Sequence, residues 1–499
     1  MRLIYIDVDS LRPDHLGCYG YHRETSPNID RVAERGIRFT NCYVSDAPCL
    51  PSRTAFFAGR PGALTGVVNH GGVASQPFIE GVDRGFRDRF SETALPAVLR
   101  RAGLNTVLVS SFAERHSAWH WYAGFNEIFH TATMGLETAD EVGPRAIQWL
   151  DQNAEKDDWY LHINFWDPHT PYRTPKDFEA DYSKEPLPEW YNEEVRRRHW
   201  EGYGPHSAHE VTGFNHEVYD ARIKGKYPDQ PKEIDSMNEA RRVFDGYDRG
   251  VKYVDHQIGL IMDMLEKQGV LDDTAVIISG DHGENLGELN IYGDHHTADE
   301  FTTHVPLIVS WPGVTREARV DESLLYHFDM GATMAELAGG DLPKEWFGKS
   351  FAKQLQEEKL ANPRDYLVVS QAAWTCQRGV RFDYEEKRYI AIRSYHDGYH
   401  DFPDVMLFNL TDDPHEQHNI AESKENIVNM GMRHLTDWES GMMRLSKSGV
   451  DPMWTVVQEG GPFHTRGELG GYIVRLRETE RSGCAERLRL KHLDELYSS

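Results

Sequence analysis

Short apolar runs alternate with helical patterns over most of the first 340 residues. The runs are rich in Val, Ile and aromatic residues and are bounded by polar turns, as is typical of buried strands. They read RLIYIDVD (2–9), NTVLVSS (105–111), WYLHINFWD (159–167), TAVIISGDH (274–282) and VPLIVSW (305–311). From about 237 to 266 apolar residues recur at three- and four-residue steps, which predicts a long helix that ends before Gly269. The alternation predicts an α/β fold with a large, mostly parallel sheet sandwiched by helices.

The pattern changes in two places. The segment at about 173–235 is polar, aromatic and irregular, which favours an inserted lid over a linker. Beyond about residue 372 the chain has short strand-like pieces, such as KRYIAIRSY, followed by helical stretches. We therefore predict a large α/β domain over 1–372 and a smaller C-terminal α+β domain with antiparallel strands over 373–499.

The charge balance limits the possible partners. A formal net charge of −26 argues against a nucleic-acid partner, because such binding depends on neutralising phosphates with Lys and Arg. An acidic surface also repels anionic substrates. A site for an anion would therefore need local positive charge, from a metal or from clustered Arg and His.

Cysteine usage and the first residues bear on the compartment. The five cysteines are few, odd in number and scattered, which suits a reducing compartment better than a disulfide scaffold. The opening MRLIYIDVDS has one positive residue and a short apolar run, so it predicts neither a signal peptide nor a membrane span. We expect a cytoplasmic protein with no membrane partner.

Polar residues follow three of the predicted strands. Asp7 and Asp9 end the first, the third leads into Asp167-Pro168-His169, and the fourth ends in Asp281-His282. Ligands of open α/β sheets lie beyond the carboxyl ends of the strands. Carboxylates with one imidazole suit Ca²⁺, Mg²⁺ or Mn²⁺ better than structural zinc, which prefers Cys and His. The motif GDHGE alone is equally typical of a capped strand-to-helix turn.

The stretch CLPSRTAFFAGR, residues 49–60, predicts a helix with Pro51 in its first turn and Gly59 at its end. Cys49 would lie just before this helix, where free N–H groups favour an anion or a low-pKa group. A cysteine in that position is more commonly a small buried residue. Arg53, one turn into the helix, can direct its guanidinium towards an anion.

Two histidine motifs are further candidates. His169 lies in WDPHTPY, a proline-stiffened loop at a strand end, where a lone histidine is more often structural. In YGDHHTADE, His295 or His296 is a candidate proton donor for a leaving group.

These motifs, in this order, resemble the sulfatase family of the alkaline phosphatase superfamily. CLPSRT is similar to its C-x-P-S-R-T signature, and five other stretches occur where the family has them: LGCYGY, TSPNIDRVAERGIRFTNCYV, GDHGENLGE, THVPLIVSWPG and LFNLTDDPHEQHNI. The resemblance covers about the first 340 residues well and the C-terminal region more loosely. It implies an alkaline phosphatase-like fold with 1–372 as the catalytic domain.

The resemblance also implies a nucleophile and a metal site. In this family a separate maturation enzyme oxidises the signature cysteine, here Cys49, to Cα-formylglycine, whose hydrate attacks sulfur. Asp9, Asp281 and His282 resemble the metal ligands, with the group formed from Cys49, and Arg53 resembles the residue that holds the formylglycine. We expect Ca²⁺, with Mn²⁺ or Mg²⁺ as alternatives. Asp7 is either a further ligand or a residue behind the ligands, since Ser10 stands where the family has a second aspartate.

The sequence departs from the family at two positions. His295 stands where many members have a substrate-contacting lysine, and the segment with the family's G-K-x-H-type motif reads VSSFAERHSAWHWYAGFNE, without lysine. His116 or Arg115 would replace that lysine, and His169 matches the histidine at the sulfate. The catalytic candidates are therefore Cys49, Arg53, His169, His295 and His116. The substrate-binding candidates are His169, His295, Arg115 and His70.

The expected reaction is hydrolysis of a sulfate ester, on a sulfated small molecule or oligosaccharide, with release of inorganic sulfate. The aromatic segment at 173–235 and the motif GGPFHTRGELGGY are candidates for shaping a sugar pocket. One alternative is a phosphonate monoester or phosphodiester hydrolase that uses the same site, because the pairing of Asp281 with His282 occurs in both classes. Another is a non-catalytic metal or anion binder of the same fold.

Overall fold

The structure is a computed structural model that describes residues 1–79, 89–131, 133–355 and 364–498. Its strands are β1 Arg2–Val8, β2 Ile37–Tyr43, β3 Asp46–Ala47, β4 Asn105–Val109, β5 Glu127–Phe129, β6 Trp159–Phe165, β7 Thr274–Gly280, β8 Asn285–Leu286, β9 Tyr292–Asp294, β10 His304–Ser310, β11 Arg319–Asp321, β12 Leu325–Tyr326, β13 Tyr366–Gln371, β14 Cys376–Tyr384, β15 Lys387–His396 and β16 Val405–Asn409. Its α-helices are α1 Pro27–Glu34, α2 Cys49–Ala58, α3 Gly62–Thr65, α4 Arg89–Thr93, α5 Leu95–Arg101, α6 Phe112–His116, α7 Ala139–Asn153, α8 Glu193–Glu201, α9 Met237–Lys267, α10 Glu300–Thr303, α11 His327–Leu337, α12 Glu425–Leu445, α13 Pro452–Gln458, α14 Leu469–Glu478, α15 Ser482–Lys491 and α16 Leu493–Ser498.

The larger sheet has the strand order β11-β2-β10-β7-β1-β6-β4-β5, with β12 beside β2. Its strands pair in parallel except β10, which is antiparallel to both β7 and β2. The predicted mostly parallel sheet is confirmed. Strand β10, predicted from VPLIVSW, runs the other way because the chain reaches it from β7 through a hairpin and the short helix α10, not through a helical crossover over the face of the sheet.

Helices cover both faces of this sheet, as predicted. Alternate residues of β1 face opposite sides: Leu3 and Tyr5 pack with α2, α5 and α11, while Ile4 and Ile6 pack with α1, α7 and α9. The long helix α9 matches the predicted helix at 237–266 and buries one apolar face on the sheet. By the same alternation, the Asp7 side chain lies on the same face of the sheet as Tyr5, which is the face covered by α2.

A smaller sheet has the order β16-β15-β14-β13-β3. Strands β13 to β16 are antiparallel, and α12 packs on them through residues that include Leu435 and Trp438. The fifth strand, β3, comes from the N-terminal part and pairs in parallel with β13. This sheet therefore extends across the predicted boundary at 372, and the division into 1–372 and 373–499 stays a prediction.

The segment at 173–235 packs on the body of the protein. Tyr191, Val195 and Ile234 are buried in the hydrophobic core beneath α9. Its role as a lid stays a prediction. Within the described ranges, none of the helices has the length and apolar character that crossing a bilayer requires.

Candidate active site

The carboxyl ends of three neighbouring strands form the floor of the site. Strand β1 lies between β6 and β7 and is parallel to both, with Asp7 in register with Asn164 and Ser279. Asp9 follows β1 directly, and Asp281 and His282 follow β7. The sequence prediction that separate strands deliver carboxylates and imidazoles to one edge is confirmed.

Helix α2 begins at Cys49 itself, so the predicted position of this residue just before the helix is wrong by one residue. The Ser52 N–H donates to the Pro48 carbonyl at 3.0 Å, which already forms a helical turn around Cys49. Gly59 ends the helix with a left-handed φ of 62°, as predicted. The Ser52 hydroxyl donates to the Asp281 carbonyl, which joins α2 to the end of β7. Every residue of α2 is buried, and Cys49 is 4% exposed.

Arg53 connects the three carboxylates of the floor. Its Nε donates to Asp7 Oδ2 at 2.7 Å and its Nη1 donates to Asp9 Oδ2 at 3.0 Å. Nη1 is also 2.6 Å from Asp281 Oδ2. The guanidinium lies over the Phe112 ring, 4.6 Å from its centroid, a cation–π contact that shields the cluster from water.

This cluster carries more negative than positive charge. Burial would raise the pKa of Asp9, but Arg53 and nearby histidines outweigh burial and hold that pKa well below its ordinary value. Burial raises the pKa of Asp281 well above its ordinary value, against the opposing effect of Arg53. Three buried carboxyl groups around one guanidinium call for a further cation.

His282 is suited to bind that cation. Its Nδ1 is 2.8 Å from the Gly283 carbonyl and therefore carries the proton, which leaves a lone pair on Nε2. Nε2 has no hydrogen-bond partner and lies 3.3 Å from Asp281 Oδ2 and 3.8 Å from Asp9 Oδ1. Burial lowers the pKa of His282 to about 4, so the ring is neutral. Ligand atoms of Cys49, Asp281 and His282 lie within 4.8 Å of one another.

Asp7 contacts Arg53 and His162 and lies further from His282 than Asp9 and Asp281 do. Its Oδ2 accepts the Arg53 hydrogen bond and is 3.6 Å from His162 Nε2. This geometry favours the second of the two readings for Asp7, a residue behind the ligands. The residues present, Asp9, Asp281 and His282 beside Cys49, fit a divalent metal.

A cavity of about 570 Å³ opens above Cys49. It brings together all the catalytic and substrate-binding candidates except Arg53, which lies in the floor. The lining residues among them are Cys49, His70, Arg115, His116, His169 and His295. Phe463 and His464, from the motif GGPFHTRGELGGY, also line the cavity. Trp374 and Asp294 also line the cavity and were not among the residues predicted from the sequence.

Two histidines contact the sulfur directly. His70 Nε2 and His116 Nε2 are each 3.3 Å from Cys49 Sγ. His70 Nδ1 is in turn 2.9 Å from His464 Nε2, which links the C-terminal part to the site. Burial lowers the pKa of His70 and of His116 well below the ordinary value, so both rings are neutral. Arg115 supplies fixed positive charge at the cavity and lies over the Trp166 ring.

His169 and His295 form the opposite wall. His169 Nδ1 is 2.6 Å from the Thr170 carbonyl, so its Nε2 carries the lone pair. The His295 ring packs against the His282 ring at a tilt of 39° with centroids 4.0 Å apart, and its centroid is 5.4 Å from that of His169. Burial, followed by the influence of His282, lowers the pKa of His295 well below its ordinary value. An anion beside His295 would raise that pKa again.

Comparison with known proteins identifies two matching families. The model of the sulfatase family matches residues 2–340. The model described as N-sulphoglucosamine sulphohydrolase, C-terminal, matches residues 287–438.

Individual relatives cover most of the chain. The N-acetylglucosamine-6-O-sulfatase of Bacteroides thetaiotaomicron is 22% identical over 491 residues, which are 85% of this chain and 83% of that protein. A protein solved in complex with its substrate D-glucosamine-2-N,6-O-disulfate is 18% identical, with a TM-score of 0.66 over 90% of this chain and 99% of that one. A phosphonate monoester hydrolase from Silicibacter pomeroyi is 18% identical, with a TM-score of 0.65 over 91% of this chain and 97% of that one. At these identities the solved structures establish the fold.

Proposed function

Because this chain is an enzyme of the sulfatase family, which hydrolyses sulfate esters, we propose that its substrate is a sulfated carbohydrate and its nucleophile a Cα-formylglycine formed from Cys49. The observation that carries the proposal is the position of Cys49. It lies between Asp281 and His282 on one side and the imidazoles of His70 and His116 on the other. A group at this point faces both a cation site and an anion pocket.

The proposed nucleophile explains why a thiol is encoded at this position. A hydrated aldehyde supplies two hydroxyl groups, one to attack sulfur and one whose later deprotonation allows sulfate to leave, which a thiol cannot do. A formylglycine-generating maturation enzyme is therefore a required partner.

Asp9, Asp281 and His282 would hold the divalent metal, with Ca²⁺ expected and Mn²⁺ or Mg²⁺ as alternatives. When bound, such an ion neutralises sulfate oxygens and lowers the pKa of the attacking hydroxyl. Arg53 fixes the carboxylates in advance through its contacts to Asp9 and Asp281, so little reorganisation accompanies the reaction.

The remaining cavity residues bind the sulfate and move the proton. His70, His116 and Arg115 lie on the Cys49 side, where ring N–H groups and a guanidinium can donate to sulfate oxygens. We assign to His295 the transfer of a proton to the leaving oxygen, assisted by His169. The negative charge of a bound sulfate raises the low pKa of His295 and so favours the protonated form that this role needs.

Two observations support a carbohydrate substrate. The cavity of about 570 Å³ falls within the range of small-molecule sites, roughly 300–1,000 Å³. Trp374 and Phe463 line it and offer flat apolar surfaces of the kind that stack on sugar rings. The similar proteins named for N-acetylglucosamine-6-sulfate and glucosamine disulfate point to an amino sugar as the first substrate to test. The cytoplasmic location of the protein stays a prediction from the sequence.

The second candidate is hydrolysis of a phosphonate monoester or phosphodiester. The pairing of Asp281 with His282 is compatible with both classes, and the similarity in fold to the Silicibacter enzyme favours this one. A tetrahedral phosphorus ester presents the same kind of anionic oxygens to this cavity, so comparing turnover of an aryl sulfate with that of an aryl phosphodiester separates the two.

The test combines mass and activity. Protein co-expressed with a formylglycine-generating enzyme should yield a Cys49 peptide lighter by about 18 Da, the difference between thiol and aldehyde. Turnover of an aryl sulfate and of glucosamine-6-sulfate should be lost with chelator and in Cys49→Ala, but retained in Cys42→Ala, which removes another buried thiol. An unmodified Cys49 with intact metal-dependent turnover would overturn the formylglycine mechanism. Faster turnover of the phosphodiester would favour the second candidate. Absence of turnover on every ester would indicate a non-catalytic binder.

A further inference from the structure

Three side chains that no role above uses meet beside the cavity. They are His206 from the 173–235 segment, Asp294 at the end of β9, and His296 two residues later. His296 is fully buried and Asp294 is 8% exposed. Their ligand atoms lie within 4.8 Å of one another, in a cluster separate from the one formed by Cys49, Asp281 and His282.

The distances between these atoms suit a shared ion. His206 Nε2 is 3.4 Å from Asp294 Oδ2, and His296 Nε2 is 3.4 Å from Asp294 Oδ1. Hydrogen bonds between nitrogen and oxygen are shorter, at about 2.7–3.2 Å. Ligands placed about 2.0–2.1 Å from a tetrahedral zinc ion are about 3.3–3.4 Å apart. Each observed separation matches the second value, with one histidine facing each oxygen of the Asp294 carboxylate.

His296 has a free coordinating position and a supported ring. Its Nε2 has no hydrogen-bond partner, although burying a polar atom without one is costly. Its Nδ1 is 3.0 Å from His400 Nε2, and its ring stacks on Trp374 at 3.9 Å. Histidines that bind metals commonly engage their second nitrogen in this way.

Another cluster of two histidines and a carboxylate differs in where its ring protons lie. His396, His492 and Glu495 also bring ligand atoms together. His396 Nδ1 accepts the Gly398 N–H, so its proton is on Nε2 and faces Glu495 at 3.3 Å. His492 Nδ1 is 2.6 Å from Glu495. His396 carries its proton on Nε2, and both nitrogens of His492 are engaged by Glu495 and Asp397, so neither ring offers a free lone pair to a cation.

The geometry points to a second metal site, in which His206, Asp294 and His296 bind a divalent ion of the zinc type. Two borderline imidazoles with one carboxylate form a ligand set typical of zinc, in contrast to the oxygen-rich set at the strand ends, so the two sites select different ions. Bound metal would tie the 173–235 segment to the cavity wall. Asp294 lines the cavity, so a metal bound there would also add positive charge to the cavity wall. An acidic protein needs such charge where an anionic substrate enters.

Cobalt absorption tests this site without an activity assay. Metal-free protein is first saturated with Ca²⁺, which prefers oxygen ligands, and then titrated with Co²⁺. Tetrahedral Co²⁺ absorbs visible light far more strongly than octahedral Co²⁺, so we expect an intense band that saturates at one equivalent and is displaced by Zn²⁺. Absence of the band in the unaltered protein would overturn the proposal.

Variants assign the band. We expect it to be lost in His206→Gln and in His296→Gln, which keep size and polarity so that folding, checked by circular dichroism, is retained. Asp9→Asn, at the strand-end site, and His396→Ala, in the comparison cluster, should keep the band at one equivalent. A band that survives both glutamine variants, or disappears in Asp9→Asn or His396→Ala, would assign the ion elsewhere and refute the site.

Discussion

The Nε of Arg53 donates a 2.7 Å hydrogen bond to Asp7 Oδ2, and through this bond the first carboxylate of strand β1 acts on the site. Asp9 lies two residues later on the same side of the chain. Its Oδ2 accepts from Nη1 of the same guanidinium, and its Oδ1 is 3.8 Å from His282 Nε2, the atom that carries the lone pair. The two aspartates therefore differ in function: Asp9 faces the proposed metal, and Asp7 orients the arginine.

Substitution of the two aspartates should separate these functions. We expect Asp9→Asn to abolish measurable Ca²⁺ binding, because it removes a charged ligand from the set. Asp7→Asn should weaken binding by about 10- to 100-fold, the usual effect of losing a residue that supports ligands from behind. Calorimetric titration of Ca²⁺ into metal-free protein measures both. Equal losses in the two variants would instead make Asp7 a ligand.

His116 should contribute to transition-state binding in place of the family's lysine. Its Nε2 is 3.3 Å from Cys49 Sγ, within reach of sulfate oxygens on that side. His116→Ala should lower kcat/KM by about 10²- to 10³-fold, the usual effect of losing one oxyanion donor. His116→Lys should recover part of this loss, and the exposed His130→Ala should have no effect. A kcat/KM for His116→Ala equal to that of the unaltered enzyme would exclude the role.

The buried ion pair between Arg12 and Glu288 should be important for stability. Nη2 of Arg12 is 2.9 Å from Oε1 of Glu288, and both side chains are nearly inaccessible. The Arg12 charge outweighs burial and lowers the pKa of Glu288 to about 2. Glu288→Ala leaves Arg12 with Asp14 as its remaining carboxylate partner and should cost about 1–3 kcal/mol in the free energy of unfolding, the usual effect of losing a buried charged hydrogen-bond partner. Urea denaturation measures this.

The exposed pair Arg35–Asp272 serves as the control for that measurement. Asp272→Ala removes a pair that water already screens, so its unfolding midpoint should hardly change. A similar change in both variants would contradict the argument from burial.

The C-terminal cluster should make stability depend on pH. Burial would lower the pKa of His492, but hydrogen bonds to Asp397 and Glu495 outweigh burial and raise that pKa to about 9. A folded-state pKa above the unfolded value of about 6.5 stabilises the fold fully below pH 6.5, and this stabilisation is lost as pH rises through 9.

Comparison with His492→Asn tests this. After allowance for partial exposure, the unaltered protein should exceed the variant by about 1–2 kcal/mol near pH 6, and this charge-dependent excess should disappear near pH 10. Urea denaturation at both pH values gives the difference. An excess that is constant with pH would show that packing, not charge, is responsible.

The sequence predicted local structure well because strand and helix periodicity is a local signal. Strands β1, β6 and β7 and helix α9 lie within two residues of the predicted bounds. The direction of β10 was not predictable in this way, since it depends on the connection that precedes it.

The site follows the same division between local and distant information. Motifs that lie directly at strand ends, such as Asp281-His282, were found from the sequence. His206 and Trp374 carry no motif. Tertiary packing alone brings Trp374 into the cavity wall and His206 beside it, so a single sequence contains no signal that they lie near Asp294.

Strand β3 has a consequence for the timing of maturation. It directly precedes α2, and its partner in the smaller sheet is β13, with Asp46 in register with Ser370. These positions are 324 residues apart along the chain. At a synthesis rate of about 5–20 residues per second, the ribosome needs about 16–65 s to pass from one to the other. For most of that interval the segment that carries Cys49 lacks the strand that completes its surroundings, so the proposed maturation enzyme would have access to a thiol that the finished fold buries.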